Sequence, residues 1–201
     1  LCKGNTMTQT EAINKMLGYI GSHPVDDYST SANPEVARAL VLLEEKFKNI
    51  QRKGWWFNKE YSKTFTPDSN GQITFSSNIM EVFVRSRPEL TTVGTTLLQD
   101  VVNNTLTFTE PVTVEYLIVE LTFMAAPVQV RELATYMAAE EFVIMELEDT
   151  QRSQHIRQKW ASLYVDLQRE QLRRSQHNIF DRPIVQRMRY GVRPYHGRRI
   201  R

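Results

Sequence analysis

The chain holds a single cysteine, Cys2, in 201 residues. A lone thiol excludes an intramolecular disulfide and a cysteine-rich metal site, and it fits assembly in a reducing compartment. The four histidines, His23, His155, His177 and His196, share neither an H-x-x-x-H nor an H-E-x-x-H spacing, so no metal site is expected. The eight glycines form no phosphate-cradling cluster and there is no G-x-S-x-G elbow, which leaves no expected cofactor and no nucleophile motif. No apolar run approaches the roughly 20 residues of a membrane span; the longest, around Val112 to Val119, is interrupted by Glu115 and Glu120. No signal peptide is expected. Leu1 to Thr6 precede a methionine and read as translated upstream sequence or an artificial extension, so residues 1–8 are expected to lie outside the fold.

What is present is an ample apolar fraction, 41%, enough for one domain with appendages. The formal net charge of +2 hides an asymmetry. Residues 169–201 carry ten arginines and two acids, about +8, which leaves about −6 on the preceding 168 residues. Arginine pairs bidentately with carboxylates and phosphates and stacks on rings. An acidic body with a basic tail suggests self-assembly, an acidic partner or nucleic acid.

Helix signals open the chain. Thr8-Gln9-Thr10-Glu11 has capping-box spacing, and Ala12, Ile13, Met16, Leu17 and Ile20 form an apolar stripe that Gly21 ends. Asn33 and Pro34 start a second helix whose stripe is Val36, Leu40, Leu43, Phe47 and Ile50, closing near Gly54. Directly after it come Trp55, Trp56 and Phe57. Three large rings at a helix end predict an anchor between two layers of structure. Strand patterns follow at Tyr61–Thr66, Gln72–Phe75, Ile79–Val84, Leu106–Thr109 and Pro111–Phe123, with turns at 67–71 and a hairpin tip at Asn103-Asn104. They predict one antiparallel sheet of four or five strands over about 58–123. Helical periodicity returns after Pro127 through Val130, Leu133, Ala134, Met137, Ala138, Glu141 and Phe142. It resumes over about 149–174 with Ile156, Trp160, Leu163, Leu167 and Leu172 on the buried side. The segregated order predicts an α+β domain over 9–175, a four-helix bundle with an inserted small sheet, and an extended basic tail over 176–201.

Two clusters could carry chemistry. Glu140, Glu141, Glu146, Glu148 and Asp149 crowd one helix junction, and a glycan (polysaccharide) hydrolase needs two carboxylates across a cleft. The same cluster also fits a solvated face or salt-bridge partners. The tail interleaves arginine with Ile179, Phe180, Ile184, Val185, Met188 and Tyr190. That pattern suits docking on a partner protein, or a DNA-binding module, better than pure solvation.

Ala12-Ile13-Asn14-Lys15-Met16-Leu17-Gly18-Tyr19-Ile20-Gly21 with Pro24-Val25, and Ala37-Arg38-Ala39-Leu40 leading to Gln51-Arg52-Lys53-Gly54-Trp55-Trp56-Phe57-Asn58, resemble the motifs of tail tubular protein A of T7-like short-tailed phages. The family pattern at the second site is Q-x-x-G-W-x-F-N. The resemblance implies a non-enzymatic head-to-tail adaptor, or gatekeeper, of a podovirus virion tail, assembled in the host cytoplasm. It implies a homo-oligomeric ring, a dodecamer on the portal protein, that meets the tail nozzle (tail tubular protein B) and passes double-stranded DNA during genome retention and ejection. No membrane partner is implied. Under this resemblance Gly54, Trp55, Trp56 and Phe57 are the structural anchor. The portal-docking residues of the tail are Arg182, Arg187, Arg189, Tyr190, Arg193, Tyr195, Arg198 and Arg199.

Overall fold

Local capping chemistry fixes where the first helices begin. In α1 (Gln9–Ile20) Thr8 Oγ1 accepts from the Glu11 amide at 3.2 Å, and Glu11 accepts from the Thr8 amide at 2.7 Å. Gly21 ends the helix in the left-handed region, φ 81°. In α2 (Pro34–Gln51) Asn33 accepts from the Glu35 amide at 2.9 Å, and Pro34 occupies a first-turn position where its missing donor costs nothing. The computed structural model describes residues 7–84, 87–94 and 96–174. The folded part takes in Met7 and Thr8, just inside the 1–8 stretch expected to lie outside it: Met7 is buried and Thr8 caps α1.

Five strands follow: β1 (Lys59–Phe65), β2 (Ile79–Phe83), β3 (Leu90–Val93), β4 (Leu97–Asp100) and β5 (Val112–Val119). After a short 3-10 turn (Phe123–Ala125) come α3 (Val128–Leu147) and α4 (Thr150–Arg174). The architecture is α+β, four helices and small antiparallel sheets. α3 packs against each of the other three helices. It is therefore buried around much of its circumference, through Val130, Leu133, Ala134, Ala138, Ala139, Phe142 and Val143. The alanines let neighbouring helices approach closely. Leu133 and Phe142 are fully buried, each stabilising by about 1.5–3 kcal/mol.

The single sheet expected from sequence is in fact two. One has the order β1-β5-β2, with Tyr61 opposite Tyr116 and Val82 opposite Leu117; the other pairs β3 with β4. The stretches 72–75 and 106–109 are not strands. They touch neighbours at isolated antiparallel bridges, Gln72 to Thr107 and Thr74 to Leu97, too few in a row to make a ladder. The strand expected to reach Phe123 stops at Val119; the Glu120 amide still donates to the Asn78 carbonyl, and at Leu121 the backbone is bonded by the Gln51 side chain instead of a strand. The Asn103-Asn104 turn is present, with Asn104 at φ 49° and Asp100 bonded to Thr105 in both directions. It joins β4 to a bridge, not to a full strand. A second core of Ile73, Phe75, Leu90, Leu98, Val114 and Leu117 lies under these sheets.

On α4, Ile156 and Leu167 are buried, and Trp160 and Leu163 pack partly against the helical core. Leu172, expected on the buried side, is 64% exposed. α4 has 25 residues and α3 has 20, so the apolar phase of α4 continues after α3 has ended. Among the described residues no helix is long and apolar enough to cross a membrane.

Candidate functional site

The aromatic step sits where α2 hands over to β1. α2 stops at Gln51, three residues before Gly54, and Gly54 turns the chain with φ +64°. A Cβ there would stand 2.5 Å from Lys59 Cε and 2.8 Å from Ile118 Cδ1, so the position needs glycine for conformation and for space. The turn delivers Trp55 into the helical core, 5% exposed, with its indole N–H donated to the Ile50 carbonyl at 2.8 Å. Its ring meets Trp56 and Tyr164 edge-on at 6.3 and 6.0 Å. Trp56 and Phe57 are only half-buried and lie edge-on to each other at 5.4 Å. Arg174 covers Trp56 at 5.1 Å, and the Trp56 amide donates to Gln171 Oε1 at 2.9 Å. Lys53 donates to the Tyr164 hydroxyl at 2.9 Å. The end of α4 is thus tied to the same turn.

Two polar residues that stand at the ends of the Q-x-x-G-W-x-F-N motif, and to which the sequence assigns no role, lock this joint. Gln51 is fully buried, accepting from the Leu121 amide at 2.7 Å and donating to the Leu121 carbonyl at 3.2 Å. This is a strand-like pairing made by a side chain, and it captures the backbone just past β5. Asn58, 2% exposed, accepts from the Trp55 amide at 2.8 Å and donates to the Gln51 carbonyl at 2.9 Å and the Val119 carbonyl at 3.2 Å. Buried amides of this kind are retained only when their hydrogen bonds are made. The available signal was positional: Gln51 and Asn58 bracket the glycine and the rings in Q-x-x-G-W-x-F-N.

The acids expected as catalytic alternatives are not brought together. Glu140 accepts from Arg157 Nε at 2.7 Å and from the Trp160 indole at 2.5 Å, both on α4. Glu141 pairs with Lys46 on α2, and that hydrogen bond raises the Lys46 pKa above its ordinary value. Adjacent residues on a helix point about 100° apart, so these two carboxylates face different helices and share no cleft. Glu146 forms a two-pronged pair with Arg38 at 2.5 and 3.0 Å. Glu148 ends α3 with φ 53°, and Asp149 accepts from the Arg152 amide at 2.9 Å at the start of α4. The cluster joins helices and ends them. A groove of about 470 Å³ opens beside the joint, lined by Lys53, Trp55, Tyr164, Gln168, Gln171 and Leu172 with Gly54 at its base, and it contains no carboxylate.

Among the described residues no group of histidine, cysteine, aspartate or glutamate could hold a metal ion; His23 and His155 are both exposed. His177 and His196, and the tail residues Arg182, Arg187, Arg189, Tyr190, Arg193, Tyr195, Arg198 and Arg199, lie outside the described residues.

In this chain Glu140, Glu141 and Glu146 tie helices together and Gln51 and Asn58 tie the helices to the sheet. Over residues 10–188 it matches the family model described as Tail tubular protein. That span takes in all of the described helices and strands but Gln9, the first residue of α1, together with the joint and Arg182 and Arg187 of the tail. The chain belongs to the tail tubular protein family, structural components of the phage virion tail. None of the curated proteins compared matches it.

Proposed function

We propose that this chain is the adaptor subunit of a head-to-tail connector, forming a ring between the portal and the tail nozzle through which double-stranded DNA passes. In this reading α1 to α4 act as one bundle facing the portal, the sheets project toward the nozzle, and the arginines of 176–201 dock on portal or neighbouring carboxylates. The observation that carries it is the family match over 10–188. The joint supports it physically. Gln51, Asn58 and Trp55 fix the sheets against the helices, as a subunit bridging two partners requires. The acidic body also suits a DNA conduit, since acids facing a channel repel phosphates and let DNA slide.

The test is to mix the purified chain with portal protein and examine it by mass photometry and negative-stain microscopy. Ring-sized species seated on the portal are expected. A chain that leaves the portal unoccupied at micromolar concentration sinks the reading, whereas a monomer in the absence of portal does not, because assembly can be templated.

A further inference from the structure

Arg131, in the first turn of α3, is 5% exposed and forms no ion pair among the described residues. Its Nη1 donates to the Met7 carbonyl at 2.7 Å and lies 3.5 Å from the Met124 sulfur; its Nε is buried with no acceptor. A buried guanidinium that among the described residues meets only a carbonyl and a thioether is costly unless an anion joins it. The helix adds to the demand. No side chain caps α3 at Pro127 and no acid stands in its first turn, so the positive end of the helix is also unanswered. The adjacent surface is apolar: Met124 is 52% exposed and Ala125 is exposed beside it.

We propose that Arg131 receives a carboxylate side chain from a neighbouring copy of this chain, an inference that rests on the ring reading above. Charge selects this occupant. Residues 1–6 bring a lysine and no acid, and residues 169–201 bring ten arginines and two acids, so neither stretch is a good source of an anion. The excess acid is on the body of the chain, and in a closed head-to-tail ring one face of each body meets the opposite face of the next. The planar guanidinium fork suits a carboxylate, and the flexible Met124 side chain can shift to cover the pair.

The test compares full-length wild type, Arg131→Met and Arg131→Lys in portal-templated ring assembly, with thermal unfolding of each free chain. Arg131→Met is expected to unfold at or above the wild-type temperature, since it removes an unpaired buried charge. It is expected to need about thirtyfold more protein, or more, to form rings. Arg131→Lys, which keeps the charge without the fork, should fall between. Rings of Arg131→Met at the wild-type concentration overturn the proposal and leave the ring reading intact; absence of rings from wild type overturns the ring reading itself. Should Arg131→Met fail to fold, a cryo-microscopy map of the wild-type ring decides. A neighbouring copy's carboxylate within about 4 Å of the guanidinium supports the proposal. A guanidinium still facing only Met7 and Met124, or paired with a portal acid, refutes it.

Discussion

Gln51→Leu tests the joint most directly, because the substitution keeps roughly the same bulk and removes only the two bonds to Leu121. Each bond contributes about 1 kcal/mol net, and leaving a backbone group dry adds about 1–3 kcal/mol, for a gross loss of about 3–5 kcal/mol. Burying leucine returns about 1 kcal/mol, so a net destabilisation of about 2–4 kcal/mol is expected. Urea unfolding should show a lower midpoint at an unchanged slope, and the Leu121 amide should lose protection in hydrogen exchange before the core of α3 does. Gln51→Glu sharpens the test. The ionised form can accept from the Leu121 amide but cannot donate to its carbonyl, and burial disfavours the charge, raising the folded pKa above the unfolded value near 4.3. The deficit relative to wild type should therefore be fully present above the folded pKa. It should shrink as pH falls through that value, where the protonated acid regains a donor, and vanish below the unfolded one. A midpoint shift for Gln51→Leu below about 0.5 kcal/mol, or a flat pH profile for the Gln51→Glu deficit, would show that these bonds do not hold the sheet to the helices.

Gly54→Ala should cost about 1–3 kcal/mol from its positive φ and the contact with Ile118. Gly18→Ala, in open space on α1, should instead gain about 0.5–1 kcal/mol; equal effects in thermal unfolding would refute the turn argument. Trp55→Ala should lose about 3–5 kcal/mol, and half-buried Trp56→Ala clearly less. If Trp56→Ala keeps its stability but fails to assemble on the portal, that ring is an interface residue. Asp100 accepts from the Asn103 amide at 3.0 Å and side chain at 2.9 Å, and these bonds, with Arg87 adding a smaller part, hold its pKa below the ordinary 3.8. Its contribution is complete above about 3.8 and fades as pH falls through the lower folded value. Asp100→Asn should therefore flatten the acid limb of an unfolding profile, and an unchanged limb would count against this account.

The helices were legible because their ends carry local chemistry. Thr8 with Glu11, and Asn33 with Pro34, fix two starts through bonds made within three residues. The end of α2 was less legible: the sequence points to Gly54, yet the helix stops at Gln51, because the captured turn requires Gly54 in the left-handed region. The sheets resisted prediction for a different reason. Whether 72–75 becomes a strand depends on which backbone lies beside it, and Leu98 donating to the Ile73 carbonyl at 3.1 Å is a long-range choice that alternation does not encode. β3 and β4 pass unremarked in the sequence because Pro88 and Gly94 break the apolar pattern around them. At the joint the rings were conspicuous, but Gln51 and Asn58 were not, since amides usually mark surface.

The choice of amides over apolar residues at that joint bears on the ring reading. Apolar burial is non-directional, so Trp55 and Phe47 alone would hold the sheets near the helices without fixing their angle. Gln51 and Asn58 add bonds to Trp55, Leu121 and Val119 that are satisfied only in one relative orientation. A closed ring demands such an orientation, because every interface repeats the same rotation and an angular error in one subunit accumulates around the circle until closure fails. Loss of burial and loss of orientation should therefore have different effects. Trp55→Ala removes burial and should weaken the fold and the assembly together. Asn58→Ser, which shortens the amide but leaves the rings in place, should cost less stability and yet yield open or irregular arcs on the portal, visible by negative-stain microscopy. Regular closed rings from Asn58→Ser would show that burial alone sets the angle.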